Sequence, residues 1–275
     1  MILFFLIGVY HSLGVKTFTF SNPTLSIYMY IVYILGISAF IYKAFFYDKL
    51  KNKYKYQIEN IKDFGDTIEI TMSPQSHLFI KNKAGQFAFF KFLEKGIEEI
   101  HPFTISNFIK EDKKIRLSIK SLGDWTSKLK SNIKIGTNIL VDGPYGKFNS
   151  EKENNNTEIW IAGGIGITPF LAFLEDYKLN NNPNKKIIFV WSVKDEKEGI
   201  YKEEIEKDLP NNISFILHDT SKSGFFKFEN LKDKFSISEN PKVYICGPIA
   251  MRESVMENAE ELGIKDFHFE EFSFR

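Results

Sequence analysis

Residues 158–169 read EIWIAGGIGITP, and this stretch decides the fold of the second half of the chain. It has the pattern of a buried strand (EIWIAGG), a glycine turn and the start of a helix (TPFLAFLEDYKL). Glycines at such a turn let the backbone approach an anion, and the helix N-terminus adds free N–H groups and a partial positive charge. Thr168 suits the N-cap and Pro169 the first helical position. The spacing is not GxGxxG, so a plain structural turn is the alternative.

The same rhythm continues to the C-terminus. Strand-like runs at KIIFVWSV, ISFILHD, VYICG and FHFEEF alternate with helical runs at IYKEEIEKDL and PIAMRESVMENAEEL. This alternation predicts a doubly wound, mostly parallel α/β domain over residues 158–275. Ligands bind at the carboxyl ends of such strands. Cys246, Gly247 and Pro248 follow one of them, so Cys246 is a candidate cofactor contact or, alternatively, a small buried residue.

Residues 53–149 show a different pattern. Six short alternating runs, YKYQIEN, DTIEITM, GQFAFFKF, HPFTIS, KIRLSIKS and TNILVDG, are separated by turn signals. They predict an antiparallel six-stranded β-barrel or a sandwich, with one short helix near residues 125–131. The polar, Asn-rich segment 150–157 is the natural linker to the second domain.

The run HPFTIS contains a ring beside a hydroxyl, at Phe103 and Thr104. Alternate side chains of a strand share a face, so His101 and Phe103 point one way and Thr104 the other. This arrangement suits a flat heterocycle that stacks on a ring and accepts a hydrogen bond near its edge.

Composition excludes several classes of function. A net charge of +1 over 275 residues gives no pull toward nucleic acid. One cysteine excludes an internal disulfide and a CxxC site, and the five histidines lack a metal-ligand spacing.

Residues 1–50 form a membrane segment by the same criteria. Residues 25–47 are apolar with a single charge, Lys43, and predict a transmembrane helix, a buried core helix being the alternative. Residues 2–15 resemble the last part of another helix. The positive-inside rule then places the C-terminal domains in the cytoplasm, at the cytoplasmic membrane, because four lysines follow the helix: Lys49, Lys51, Lys53 and Lys55.

The motif order HPFTIS, GDWT (123–126), GPYG (143–146), AGGIGITP, CGP and a terminal aromatic resembles the ferredoxin–NADP reductase superfamily. HPFT in particular is similar to its membrane branch, the ferric reductase and NADPH oxidase flavocytochromes. The resemblance covers residues 53–275 and implies an FAD-binding barrel followed by an NAD(P)H-binding domain. The GDWT turn favours FAD over FMN. GPYG is expected to shape the domain boundary only.

The resemblance also implies roles for individual residues. In the barrel, Phe103 would stack on the flavin and Thr104 would bond near its N5, whereas His101 would face phosphates or act as a structural histidine. The complete set of predicted flavin contacts is His101, Pro102, Phe103, Thr104, Ser106, Gly123, Thr126 and Phe272. The predicted NAD(P)H contacts are Gly163, Gly164, Gly166, Thr168, Pro169, Ser192, Lys194, Cys246, Gly247 and Pro248.

Four residues are predicted to act in catalysis: Thr104, Cys246, Glu270 and Phe272. The ring of Phe272, or of Phe274, would cover the flavin face that the nicotinamide must reach. The choice between NADH and NADPH stays open, because Asp195 and Glu196 oppose the attraction of Lys194 for a 2′-phosphate.

His11 is the one candidate metal ligand, for the iron of a haem b. In the membrane branch, paired histidines on two helices hold two haems, and the other three ligands have no counterpart in this sequence. They are expected on helices upstream of Met1 or on a haem-bearing partner subunit. An interfacial polar residue is the alternative role for His11.

Three functions follow. The first is a membrane-tethered enzyme that passes electrons from NAD(P)H through FAD to a one-electron acceptor, namely membrane haem and then ferric iron or oxygen. The second is a flavin reductase that donates to a soluble carrier or oxygenase. The third is a truncated, non-catalytic, membrane-anchored fragment that binds nucleotide.

Overall fold

The computed structural model describes residues 7–11, 22–47, 54–149, 157–180, 182–232, 234–235, 237 and 241–270. The chain divides into two compact units, Met1–Lys53 and Tyr54–Arg275.

The first unit contains an apolar helix, α1 (Pro23–Ile41), which continues into a π-helical turn at Tyr42–Tyr47. The side chain of Asn22 caps α1 by accepting a hydrogen bond from Thr24 N at 3.0 Å. The 24 residues Pro23–Phe46 have a mean hydropathy of 1.9 and include no buried residue. By length and composition this helix can cross a membrane.

The second unit begins with seven antiparallel strands and one helix. They are β1 (Tyr54–Asp63), β2 (Thr67–Pro74), β3 (Phe87–Phe92), β4 (Ile100–Thr104), β5 (Asn107–Ile109), β6 (Lys114–Lys120), α2 (Asp124–Asn132) and β7 (Asn138–Tyr145). The sheet order is β4-β3-β7-β1-β2-β6-β5. Only two residues join β4 to β5, so the two ends of the sheet lie close together and the sheet curls into an open barrel.

The prediction of six strands was wrong by one, because HPFTIS does not form a single strand. Ile105 N donates to Gln86 O at 3.0 Å, next to β3. Ser106 N donates to Arg116 O on β6 at 2.9 Å. Successive amides therefore bond to opposite ends of the sheet, and the chain crosses between them at Ile105 and Ser106.

The second half of this unit is a parallel sheet covered by helices. Its elements are β8 (Thr157–Gly163), a 3-10 turn (Gly164–Ile167), α3 (Thr168–Asn180), β9 (Lys186–Val193), a 3-10 turn (Glu196–Glu198), α4 (Lys202–Glu206), β10 (Ile213–Asp219), α5 (Thr220–Ser223), α6 (Glu229–Lys232), β11 (Lys242–Cys246), α7 (Ile249–Glu261) and β12 (Phe267–Phe269). The order β10-β9-β8-β11-β12 reverses direction between β8 and β11. In doubly wound sheets, ligands bind in the crevice at this reversal.

Two predicted elements of this domain are shorter than expected. The run IYKEEIEKDL is helical only at α4, because Pro210 disfavours helical geometry at the residue before it. In FHFEEF, β12 ends at Phe269, and residues 271–275 lie outside the part of the chain that the structure describes.

The barrel packs directly on the nucleotide domain. Gly85, in the loop before β3, has a φ of +88° and lies against Phe148 and Phe173. Phe148 and Phe173 belong to the core of the second domain, and their rings stack with centroids 5.4 Å apart. A shared apolar core therefore joins the two domains.

Candidate functional site

Two glycine turns meet at the strand reversal, one after β8 and one after β11. A Cβ atom at Gly166 would overlap the carbonyl oxygen of Cys246 and lie 3.0 Å from Gly247 N. A Cβ atom at Gly163 would lie 2.7 Å from the Sδ of Met251. Side chains at these positions are therefore excluded, and the main chain of both turns lines the carboxyl edge of the sheet.

The turn after β8 is open on its outer side. A Cβ atom at Gly164 would meet nothing within 4 Å, and the φ of Gly164 is +52°. Trp191 Nε1 donates to Gly164 O at 2.9 Å and fixes the turn from the neighbouring strand. Sequence reasoning did not single out Trp191 or Met251, whose contacts with these turns depend on the sheet order.

The N-cap assignment of Thr168 was wrong. The backbone of Thr168 is already helical, because the 3-10 turn Gly164–Ile167 runs directly into α3. Gly163 is the extended residue before this continuous helical segment. The free N–H groups therefore belong to residues 164–166, one turn earlier than predicted, whereas Thr168 and Pro169 are buried.

Cys246 and Glu270 lie near each other behind these turns. Cys246 is 1% exposed, and burial raises the pKa of its thiol to about 12, with a smaller contribution from the charge of Glu270. Burial also raises the pKa of the Glu270 carboxyl, against a hydrogen bond from the Phe148 main chain. The thiol of Cys246 is thus neutral and packed in the core, and its contact with nicotinamide stays a prediction.

Thr104 lies on the outer face of the barrel. It is paired with Phe87, whose ring lies 6.1 Å from that of Tyr145 and 5.8 Å from that of Phe89. A Cβ atom at Gly146 would lie 3.1 Å from the Phe87 ring and 3.4 Å from Glu270 Oε2. The structure therefore gathers Thr104 and Glu270 around Phe87.

Sequence reasoning missed this aromatic surface, formed by Phe87, Phe89 and Tyr145. The signal was present in GQFAFFKF, because its phenylalanines occupy both faces of the strand. Pro102 shares the face, since it is paired with Phe89.

His101 and Phe103 lie on the opposite face of β4, as expected. Their rings have centroids 3.8 and 6.0 Å from that of Trp125, which belongs to the GDWT turn. His101 Nε2 also lies 3.3 Å from Glu99 Oε2. The Nε1 of Trp125 is buried and has no acceptor among the described residues. HPFT and GDWT, far apart in sequence, thus form one aromatic cluster that contains an unused hydrogen-bond donor.

The GDWT turn is organised by Thr126. Its hydroxyl accepts from Leu122 N and Gly123 N at 3.0 and 3.1 Å and donates to Gly123 O at 3.0 Å. Ser106 is fully buried, and its hydroxyl donates to Arg116 O at 2.9 Å. Both hydroxyls have structural partners, and their contacts with FAD stay predictions.

The remaining predicted contacts are dispersed. Ser192 is buried beside Gly163, and Lys194 is exposed. Glu196, which was expected to repel a 2′-phosphate, forms ion pairs with Lys202 and Lys222.

The predicted haem ligand belongs to the first unit of the chain. His11 is exposed within helical residues 7–11, and no cluster of metal-ligating side chains occurs in the described residues. Phe272, the predicted ring shield, lies outside the described residues.

The site fits both predicted cofactors. The cradle at Gly163, Gly164, Gly166 and Gly247 leaves room only for main chain, as a pyrophosphate requires. The orphan donor of Trp125, beside the rings of His101 and Phe103, suits a flat, polar-edged cofactor such as FAD.

Comparisons with known proteins agree with this geometry. Residues 50–149 match the FAD-binding domain family and residues 160–257 match the oxidoreductase NAD-binding domain family. Human dual oxidase 1 is 27% identical over 177 residues, which cover 60% of this chain and 11% of the relative. One component of the Na(+)-translocating NADH-quinone reductase of Haemophilus influenzae is 26% identical, over 49% of this chain and 36% of that component.

The fold is also found in solved structures. The flavohemoglobin of Malassezia yamatoensis, crystallised with FAD and heme, superposes with a TM-score of 0.69 at 20% identity, over 78% of this chain and 59% of that one. Fold and site together define a two-domain oxidoreductase that uses a flavin and a nicotinamide nucleotide. The chain belongs to the ferredoxin–NADP reductase superfamily and is an NAD(P)H-dependent flavin oxidoreductase.

Proposed function

We propose that this chain is a membrane-tethered reductase that passes electrons from NAD(P)H through FAD to a one-electron acceptor. The proposed acceptor is a haem b in the membrane, with ferric iron or oxygen reduced beyond it. The single observation that carries this proposal is the exposed apolar helix Pro23–Phe46, separated in sequence from the first barrel strand by only a few residues. The chain spans about a tenth of the length of the dual oxidases it matches.

The membrane location is supported by burial as well as by length. A core helix of a soluble protein buries one face, whereas no residue of Pro23–Ile41 is buried. Four lysines at positions 49, 51, 53 and 55 follow the helix and favour a cytoplasmic barrel, at the cytoplasmic membrane.

The residues of the site have separate proposed tasks. When bound, FAD converts the two-electron hydride of NAD(P)H into single electrons. The open turn at Gly164 and Gly166 would hold the pyrophosphate of NAD(P)H by its N–H groups. Thr104 would donate a hydrogen bond to the flavin edge, and Glu270 would hold a proton near that edge because burial favours its neutral form.

His11 is the proposed haem ligand of this chain. The second axial ligand and a second haem would come from helices upstream of Met1 or from a partner subunit. The membrane branch of the superfamily supports this assignment, and the relatives named dual oxidases support oxygen as one terminal acceptor.

Membrane extraction and haem staining of the full chain test this function. The protein should stay in carbonate-washed membranes, reduce ferricyanide with NAD(P)H and, together with its native membrane partners, give a pyridine haemochrome spectrum. His11→Leu should lower the haem content without loss of FAD, and Tyr10→Leu is the matched control, since Tyr10 is also exposed on the same helix.

The contrary results identify the alternatives. Turnover with a soluble carrier, without membrane retention or haem, would identify a reductase component. Retention without any ferricyanide turnover would identify a non-catalytic fragment.

A further inference from the structure

A buried ionic network crosses between the barrel and the nucleotide domain. Arg116, on β6, is 9% exposed, and its Nη1 lies 2.7 Å from Glu204 Oε1 on α4. The same Nη1 lies 3.5 Å from Glu69 Oε2 on β2, and Glu69 is 2% exposed. Burial opposes the charge of Arg116, but Glu204 and Glu69 raise its pKa, so the guanidinium is charged. One cation is thus shared by a carboxylate from each domain.

Tyr201 reinforces this crossing. It is 1% exposed, and its hydroxyl donates to Ser118 Oγ on β6 at 2.7 Å. Its ring lies 5.9 Å from the guanidinium carbon of Arg116. Burial raises the pKa of the Tyr201 hydroxyl, which therefore remains a hydrogen-bond donor at neutral pH.

The network reaches the nucleotide turn through one further side chain. The ring of Tyr201 packs on that of Trp191 with centroids 6.2 Å apart. Trp191 Nε1 in turn donates to Gly164 O. A continuous path of contacts therefore leads from Arg116 in the barrel to the turn at Gly164.

This network is a poor source of stability. Nε and Nη2 of Arg116 have no hydrogen-bond partner among the described residues. Buried ion pairs seldom stabilise more than apolar packing of the same volume, and incomplete ones are costly. What the network does supply is a fixed geometry between two domains.

We propose that Arg116, Glu204 and Tyr201 are positioning residues that hold the Gly164 turn at a fixed distance from the flavin barrel. The proposal rests on hydride transfer between cofactors bound to the two domains. A displacement of about 1 Å at a reacting centre can cost about 10²-fold in rate. None of these three side chains belongs to the predicted cofactor contacts, so the effect would act through Trp191 and Gly164.

The test uses the full chain, purified with FAD, and the variants Glu204→Gln and Tyr201→Phe. Glu203→Gln is the matched control, because Glu203 is the exposed neighbour of Glu204 on α4. Stopped-flow flavin reduction by NAD(P)H should slow about tenfold or more in both variants. The KM for NAD(P)H, the FAD content and the ferricyanide reactivity of flavin reduced by dithionite should match those of the wild type.

Hydrogen exchange gives a second readout that does not depend on turnover. Amides 164–167 should exchange faster in both variants and at the wild-type rate in Glu203→Gln. The proposal is overturned if Tyr201→Phe and Glu204→Gln reduce their flavin at the wild-type rate, or if slower reduction occurs with unchanged exchange at 164–167. Failure of the proposed membrane function would instead leave flavin reduction intact and remove haem or membrane retention.

Discussion

Gly166 lies against the main chain of Cys246, so closely that a Cβ atom at position 166 would overlap the Cys246 carbonyl oxygen. These residues are 80 positions apart and end the helical turn after β8 and the strand β11, the two strands that flank the reversal of the sheet. Their contact closes the floor of the nucleotide cradle. Glycine at 166 is therefore required by packing of the protein itself, before any ligand is considered.

Gly166→Ala should lower the free energy of unfolding by about 1–3 kcal/mol, because the added methyl group must displace the turn at Cys246. NAD(P)H affinity should fall with it. Gly164→Ala is the control, since its Cβ would meet nothing within 4 Å and only the φ of +52° opposes it. Urea unfolding of both variants measures the difference, and equal losses would contradict the close approach at 166.

Gly85→Ala should loosen the joint between the two domains. The φ of Gly85 is +88°, and a Cβ there would overlap Phe148 and lie 3.2 Å from the Cζ of Phe173. Gly65 has a φ of +90° with open space around it, so Gly65→Ala carries the backbone strain alone, about 1–2 kcal/mol.

Thermal and urea unfolding should show Gly85→Ala to be less stable than Gly65→Ala by about 1–3 kcal/mol. Limited proteolysis of Gly85→Ala should also cut between the barrel and the nucleotide domain. Equal stability of the two variants would mean that position 85 is not packed against the second domain.

Cys246 should be inert in the folded protein, although it lies beside the predicted nicotinamide site. With a thiol pKa of about 12, about one thiol in 10⁴ is ionised at pH 8, and the side chain is buried as well. Iodoacetamide should therefore leave the native chain unmodified and label one equivalent in denaturant, as mass spectrometry can show. Rapid native labelling would place the thiol at an open surface.

Glu270 should make stability depend on pH. Burial raises its pKa above the ordinary value of 4.5, so the folded state binds this proton more tightly than the unfolded state does. The resulting stabilisation is complete below pH 4.5 and is lost as the pH rises through the raised pKa.

Urea unfolding of wild type and Glu270→Gln between about pH 4 and 8 measures this effect. The stability of the wild type relative to the variant should fall as the pH rises, and Glu257→Gln, at an exposed position of α7, is the control. A relative stability that increases with pH would show that the carboxylate, and not the acid, is favoured in the fold.

The order of motifs predicted both domains, because strand period, glycine turns and helix starts are local properties. Local properties also explain the misses. Thr168 has the chemistry of an N-cap, but the preceding 3-10 turn had no sequence signal that separated it from the glycine loop. The second strand in HPFTIS became visible only when Ile105 and Ser106 found partners at opposite sheet ends. Arg116, Glu204 and Tyr201 had no local signal, since their contacts arise between domains.

The three tryptophans occupy three different environments. Trp125 lies in the aromatic cluster with His101, Trp191 donates to the nucleotide turn, and Trp160 is buried and bonded to Glu158 within β8. Each indole therefore probes a separate part of the molecule by its fluorescence. Replacing two of them with phenylalanine would leave a single emitter, so flavin binding, nucleotide binding and core unfolding could each be followed optically without an added label.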